Sequence, residues 1–99
     1  MRGGTDEEGV IDMKFRKKPI IVEAVQWKMA EGWNGTQTMT PGVFVEVIPS
    51  GGLLFYVVTI HDQKAYLDEG DWVITEPDGV RHYPCKPDIF KATYDPVEQ

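Results

Sequence analysis

Cys85 is the residue whose type most directly suggests chemistry, because a deprotonated thiol is both a nucleophile and a metal ligand. It is the single cysteine of the chain, three residues after His82 and three before Asp88. Lys86 and Arg81 lie nearby in the sequence and would favour a thiolate. On a strand, however, residues 82 and 85 point to opposite faces, so His82 is not placed to act as a base. The sequence therefore favours a structural thiol, and we predict no catalytic residue.

Metal binding would need three or four ligands at suitable spacing. The soft ligands are His61, His82 and Cys85, and Asp62 is a possible oxygen ligand. The pair at 82 and 85 is a single half-site, whereas zinc sites usually show two such pairs. We therefore predict no metal and no cofactor.

Three acids, Asp68, Glu69 and Asp71, fall within one segment that has the composition of a tight turn. Paired catalytic carboxylates must be held apart across a cleft, so these acids are better interpreted as solvated turn residues. We expect the Asp71 side chain, which follows Gly70, to bond backbone amides of its own turn.

A set of basic and aromatic residues could bind phosphate, namely Lys14, Arg16, Arg81, Tyr83 and Lys86. If the first strand lies beside the last, their side chains form one positive patch, of the kind that a nucleotide uses. The alternative is a charged edge strand, whose lysines prevent sheets from adding edge to edge. The second interpretation is favoured, and the patch is kept as a hypothesis for ligand binding.

The overall charge and composition exclude several classes of protein. The chain has 99 residues and a formal net charge of −6, which argues against nucleic acid as a general partner. It contains no run of 18 apolar residues, so we expect no membrane-spanning helix. A single cysteine in so small a chain indicates a reducing cytosol rather than an oxidising compartment.

The chain divides by composition into two parts. Residues 1–12 hold four acids, one base and three glycines, and we predict that this segment is a flexible leader. Met13 then begins a basic sequence. This change of composition is expected if residues 1–12 are an upstream extension joined to a natural start at Met13. Residues 13–99 are too few for two cores, so we predict a single small β domain.

The body of the domain has the pattern of short strands separated by turns. Apolar and β-branched residues alternate or cluster in six segments, and glycine, proline or acidic turn residues lie between them. The predicted strands cover residues 19–27, 43–48, 53–60, 64–67, 72–75 and 80–83. We also expect one helical turn near Met29–Gly32 and a short helix over residues 88–91, with Pro87 at its first position.

The predicted fold is mostly β: a small antiparallel sheet curled into a barrel or half-barrel, with a short C-terminal helix. We expect Trp27 and Trp72 in the core and Trp33 in a loop. A thin curled sheet leaves one apolar face uncovered, so we also predict a homo-oligomer.

Two stretches of the sequence resemble a family of small proteins encoded by tailed bacteriophages and prophages. Residues 14–27 (KFRKKPIIVEAVQW) resemble the beginning of that family, and residues 70–74 (GDWVI) and 83–94 (YPCKPDIFKATY) resemble its end. The resemblance implies a phage or prophage origin without a mechanism. Residues 1–12 precede the family's usual start, and residues 28–42 are shorter than the helical insert of longer members.

These observations together predict a non-enzymatic accessory protein of a phage or prophage, which binds a host or phage protein in the host bacterial cytoplasm. One alternative is a counter-defence protein that sequesters a nucleotide-like small molecule. The other alternative is a minor structural component of the virion. Neither a membrane nor nucleic acid is expected as a partner.

Overall fold

The chain is described by a computed structural model over residues 13–16, 18 and 20–97. The elements in chain order are β1 (Ala24–Gln26), α1 (Met29–Gly32), β2 (Phe44–Val47), β3 (Leu53–Val58), β4 (Lys64–Tyr66), β5 (Trp72–Thr75), β6 (His82–Cys85) and α2 (Pro87–Thr93). The strands form two small antiparallel sheets, ordered β1-β5-β6 and β2-β3-β4. The mostly β prediction with a short C-terminal helix is confirmed. The predicted leader 1–12 lies outside the described residues.

The sheet β2-β3-β4 follows the sequence pattern closely. β3 is apolar on both faces and is the central strand, as the sequence predicts. It is joined to β2 by a turn in which Gly51 adopts a φ of 91°, a left-handed conformation that glycine accepts without strain. The amide of Gly51 donates to the carbonyl of Ile48 at 2.8 Å, which closes the turn.

The sheet β1-β5-β6 departs from the sequence pattern at both of its edges. The first strand was expected over residues 19–27, but only Ala24–Gln26 is a strand, and residues 20–23 lead into it without belonging to one. One further bond, from the Thr75 amide to the Glu23 carbonyl at 2.9 Å, extends its pairing with β5.

The last strand begins two residues later than predicted, at His82 instead of residue 80. The reason is Asp78, whose Oδ1 accepts the amides of Val80 and Arg81, each at 2.8 Å, and so keeps both residues in the turn. The strand then continues through Pro84, which is tolerated because β6 is an edge strand and Pro84 has no amide to leave unpaired.

The core lies between the two sheets and contains residues of both. Its buried members are Trp27, Val43, Phe55, Val57, Leu67 and Val73. Trp27 is 2% exposed, and its ring lies 4.8 Å from that of Phe55. Trp33 lies in the loop after α1, as predicted, and packs edge-on against Phe55.

The opposite face of β5 has a second apolar layer. Side chains alternate along a strand, so Ile74, which is fully buried, points away from the core that Val73 enters. Trp72 lies on this second face, half-buried and stacked on Phe90 of α2 at 4.2 Å. The expectation that Trp72 belongs to the central core is therefore wrong, because α2 covers it on the other side.

No helix in the described part of the chain is both long enough and apolar enough to cross a membrane. The longer of the two helices, α2, has seven residues.

We predict that Gly42→Ala destabilises the fold more than Gly51→Ala. Both glycines have positive φ angles, so each substitution introduces backbone strain of about 1 kcal/mol. A Cβ at Gly42 would also collide with the His82 imidazole, whereas no atom of the described residues lies within 4 Å of one at Gly51. Urea denaturation should show at least about 1 kcal/mol of additional loss for Gly42→Ala. Equal losses would contradict this packing.

Candidate functional site

A groove of about 770 Å³ lies beside the beginning of β1. Three parts of the chain form it: the residues leading into β1, the turn from β5 to β6, and the end of α2 with its neighbour on β6. The lining residues are Lys18, Ile20, Ile21, Val22, Glu23, Thr75, Glu76, Pro77, Gly79, Tyr83, Thr93 and Tyr94. It is open at the surface, and apolar side chains form much of its wall.

Two tyrosines line this groove side by side. The hydroxyls of Tyr83 and Tyr94 lie 3.1 Å apart and share a hydrogen bond. Burial raises the pKa of Tyr83, and the hydrogen bond with Tyr94 raises it further. The Tyr83 hydroxyl is therefore protonated at neutral pH, where it is a neutral donor and acceptor.

The charged residues of the groove are two acids and one base. Glu23 lies in the segment that leads into β1, Glu76 lies in the turn after β5, and Lys18 also lines the groove. The Glu76 carboxylate also accepts the amide of Ile60 at 3.3 Å, which fixes its position at the rim. An apolar wall with two carboxylates favours a ligand that is partly apolar and partly cationic.

Of the five predicted ligand residues, Tyr83 lines this groove, and the others do not combine as expected. The predicted patch required the first strand to lie beside the last, but β5 lies between β1 and β6. Strand pairing therefore does not bring the Lys14 and Arg16 side chains, both exposed, to Arg81 and Lys86. The sequence could not reveal this, because alternation within a strand says nothing about which strand lies next to it.

The other two predicted cations are each bonded to acids of the same chain. Arg81 forms an ion pair with Asp62 at 2.9 Å. Lys86 bonds Asp68 at 2.6 Å and Asp71 at 3.2 Å. The hydrogen bond to Asp68, followed by that to Asp71, raises the pKa of Lys86. Both positive charges are therefore compensated within the protein.

Asp71 is the buried polar residue of this network, at 2% exposure. Its Oδ2 accepts the amide of Asp68 at 2.9 Å, which confirms the expectation that it bonds its own turn. Its charge is balanced by Lys86, as a buried carboxylate requires. Asp71 thus fixes the turn between β4 and β5.

The surroundings of Cys85 do not activate it. Burial raises the pKa of the Cys85 thiol, and the negative charges of Asp71 and Asp88 raise it further. The sequence suggested that Lys86 would favour the thiolate, but Lys86 is held by the acids instead. His82 and Cys85 alternate along β6 and so point to opposite faces.

Among residues 13–16, 18 and 20–97, no group of three or more His, Cys, Asp or Glu side chains is placed to hold a metal ion.

A second surface that the sequence did not reveal is the outer face of β2-β3-β4. Phe44, Tyr56 and Tyr66 are paired across the three strands, with ring centroids 5.6 Å and 5.9 Å apart. Lys64, 4.6 Å above the Tyr56 ring, donates to Glu46 at 3.1 Å, and Tyr66 donates to the same oxygen at 2.9 Å. Because these polar groups bond one another, the groove is the better candidate site.

The groove residues that the sequence analysis missed are mainly Ile20, Ile21, Val22 and Tyr94. One signal for them was present in the sequence, because residues 19–27 carry apolar residues on both faces. A strand of that kind has to be buried on both sides or contact a partner.

Comparison of the chain with protein families, with curated proteins and with solved structures gives no match.

We predict that Asp71→Ala lowers the free energy of unfolding by about 2–3 kcal/mol, because it removes a buried charged acceptor from the Asp68 amide. Asp68→Ala is the matched control: its carboxylate also bonds Lys86 but is exposed, so we expect a change within about 0.5 kcal/mol. Urea denaturation measures both. Similar losses for the two variants would contradict the structural role of Asp71.

We predict that iodoacetamide alkylates Cys85 at pH 7.5 at least about tenfold more slowly in the folded protein than in urea, because a raised pKa lowers the thiolate fraction and burial restricts access. Glutathione under the same two conditions controls for the effect of urea. A folded-state rate equal to the unfolded-state rate would show an available thiolate and would favour an enzymatic function.

Proposed function

We propose that this is a non-enzymatic accessory protein of a phage or prophage, which acts in the host cytoplasm by binding a protein partner. The observation that carries the proposal is the open groove of about 770 Å³ formed by Lys18 and residues 20–23, the turn 75–79 and the pair Tyr83–Tyr94. An open groove with an apolar wall suits a segment of polypeptide laid along it.

The chemistry of the wall supports a particular kind of segment. Ile20 and Ile21 are 62% and 79% exposed, which is a large apolar surface to leave in water. Glu23 and Glu76 provide negative charge in the same groove. A segment in which apolar and basic residues alternate would place its apolar side chains on the isoleucines and its cations near the carboxylates.

The alternative function, sequestration of a nucleotide-like molecule, has weaker support. Its phosphate would need cations, and Arg81 and Lys86 are compensated by Asp62, Asp68 and Asp71. Binding of phosphate there would have to displace an existing ion pair, so the structure favours a polypeptide ligand. The third function, a minor virion component, has no specific contact in its favour.

We infer that the two sheets are the halves of one half-barrel, because both contribute side chains to one core and β3 and β4 contact β6. The groove then lies outside this half-barrel, on the face of β1-β5-β6 that α2 only partly covers.

The proposal is tested with two labelled ten-residue peptides, one alternating leucine with lysine and one alternating leucine with glutamate. Fluorescence anisotropy should show binding of the basic peptide, weakened by added salt, and at least about tenfold weaker binding of the acidic one. Glu23→Lys/Glu76→Lys should weaken binding of the basic peptide at least about tenfold.

Glu31→Lys is the control, because it makes the same change of charge on α1, away from the groove lining. We expect this variant to bind the basic peptide within about twofold of the unchanged protein. Equal affinity for the two peptides, or equal weakening by the control and the groove variants, would overturn the proposed site.

A further inference from the structure

We infer that residues 13–16 of a second copy of this chain occupy the groove, so that two copies exchange their N-terminal segments. The inference rests on the proposed function, since it names the segment that the groove binds. Residues 13–16 read Met-Lys-Phe-Arg, an alternation of apolar and basic side chains. In a strand-like conformation this sequence places Met13 and Phe15 on one side and Lys14 and Arg16 on the other.

The exposure of residues 13–16 favours a groove that is filled by the segment of a second copy and not by the segment of the same chain. Met13 is 69% exposed and Phe15 is 85% exposed, and neither lines the groove of its own chain. Lys18 does line that groove, whereas none of residues 13–16 does. A second copy can supply these residues to the groove.

The distribution of charge also favours a second copy. Four bases lie between residues 14 and 18, whereas residues 20–97 contain eleven acids and only five bases. Three of those five bases form ion pairs with acids of the same range, residues 20–97: Lys64, Arg81 and Lys86. The basic segment of one copy and the acidic body of another are therefore complementary.

The exchange is also consistent with symmetry. Each copy has one N-terminal segment and one groove. A two-fold axis places the segment of each copy in the groove of the other, which closes the assembly as a dimer. Phe15 would contact the apolar wall formed by Ile20 and Ile21, and Lys14 and Arg16 would lie near Glu23 and Glu76. The dimer would thereby cover Phe15 and Ile21, the two most exposed large apolar side chains among the described residues.

The test exchanges charges between the two contact surfaces and measures mass by sedimentation velocity at about 100 µM and low salt. One variant is Glu23→Lys/Glu76→Lys, which makes the groove basic, and the other is Lys14→Glu/Arg16→Glu, which makes the segment acidic. The unchanged chain should be a dimer, and each variant alone should be a monomer because like charges meet. An equimolar mixture should form a heterodimer, because opposite charges meet at both contacts.

Phe15→Ser is a second variant whose folding is not in question, since the side chain is 85% exposed. We expect its dimer dissociation constant to rise at least about tenfold. Glu31→Lys should leave the dimer unchanged. The inference is overturned if the unchanged chain is monomeric, if either charge variant alone stays dimeric, or if their mixture stays monomeric. A monomer that still binds the basic peptide in its groove would overturn this inference and leave the proposed function standing.

Discussion

The two sheets meet at Trp27, whose indole is almost wholly buried and whose backbone is bonded twice to the turn before β5. Its amide donates to the Asp71 carbonyl at 2.7 Å, and its carbonyl accepts the Gly70 amide at 2.8 Å. The indole then packs on Phe55 of the other sheet and leaves no space for a side chain at Gly32. Burial of one large aromatic side chain thus fixes the end of β1, the turn that holds Asp71, and the distance between the sheets.

The groove depends on this junction because both of its long walls extend from it. The residues leading into β1 are held by the pairing of β1 with β5, and the turn after β5 is held by the bonds of Asp78 to the following amides. Where β1 stops pairing, at Glu23, the two walls separate and the apolar side chains before it become exposed. An exposed apolar surface beside an incomplete strand is typical of a site that binds another polypeptide.

Neighbouring acids set the electrostatics of the cations beside β6 and of Cys85. Arg81 and Lys86 are compensated by neighbouring acids, and burial with nearby negative charge raises the pKa of Cys85. In the proposed dimer, the acids that line the groove and the bases near residue 14 belong to two separate parts of the chain, and salt would screen their attraction between copies.

The sequence by itself determined the local structure, because alternation of apolar residues and the conformational needs of turns act over a few residues. It specified β3 as a central strand, β5 from Trp72 to Thr75, the turn at Gly51, and the role of Asp71 in its own turn. Only the tertiary structure decided that β5 separates β1 from β6, that Lys86 is bonded to Asp68, and that Ile21 and Tyr94 line one groove. These contacts join residues far apart in the chain, and the choice among possible neighbours is made by simultaneous burial of the whole core, which no local pattern encodes.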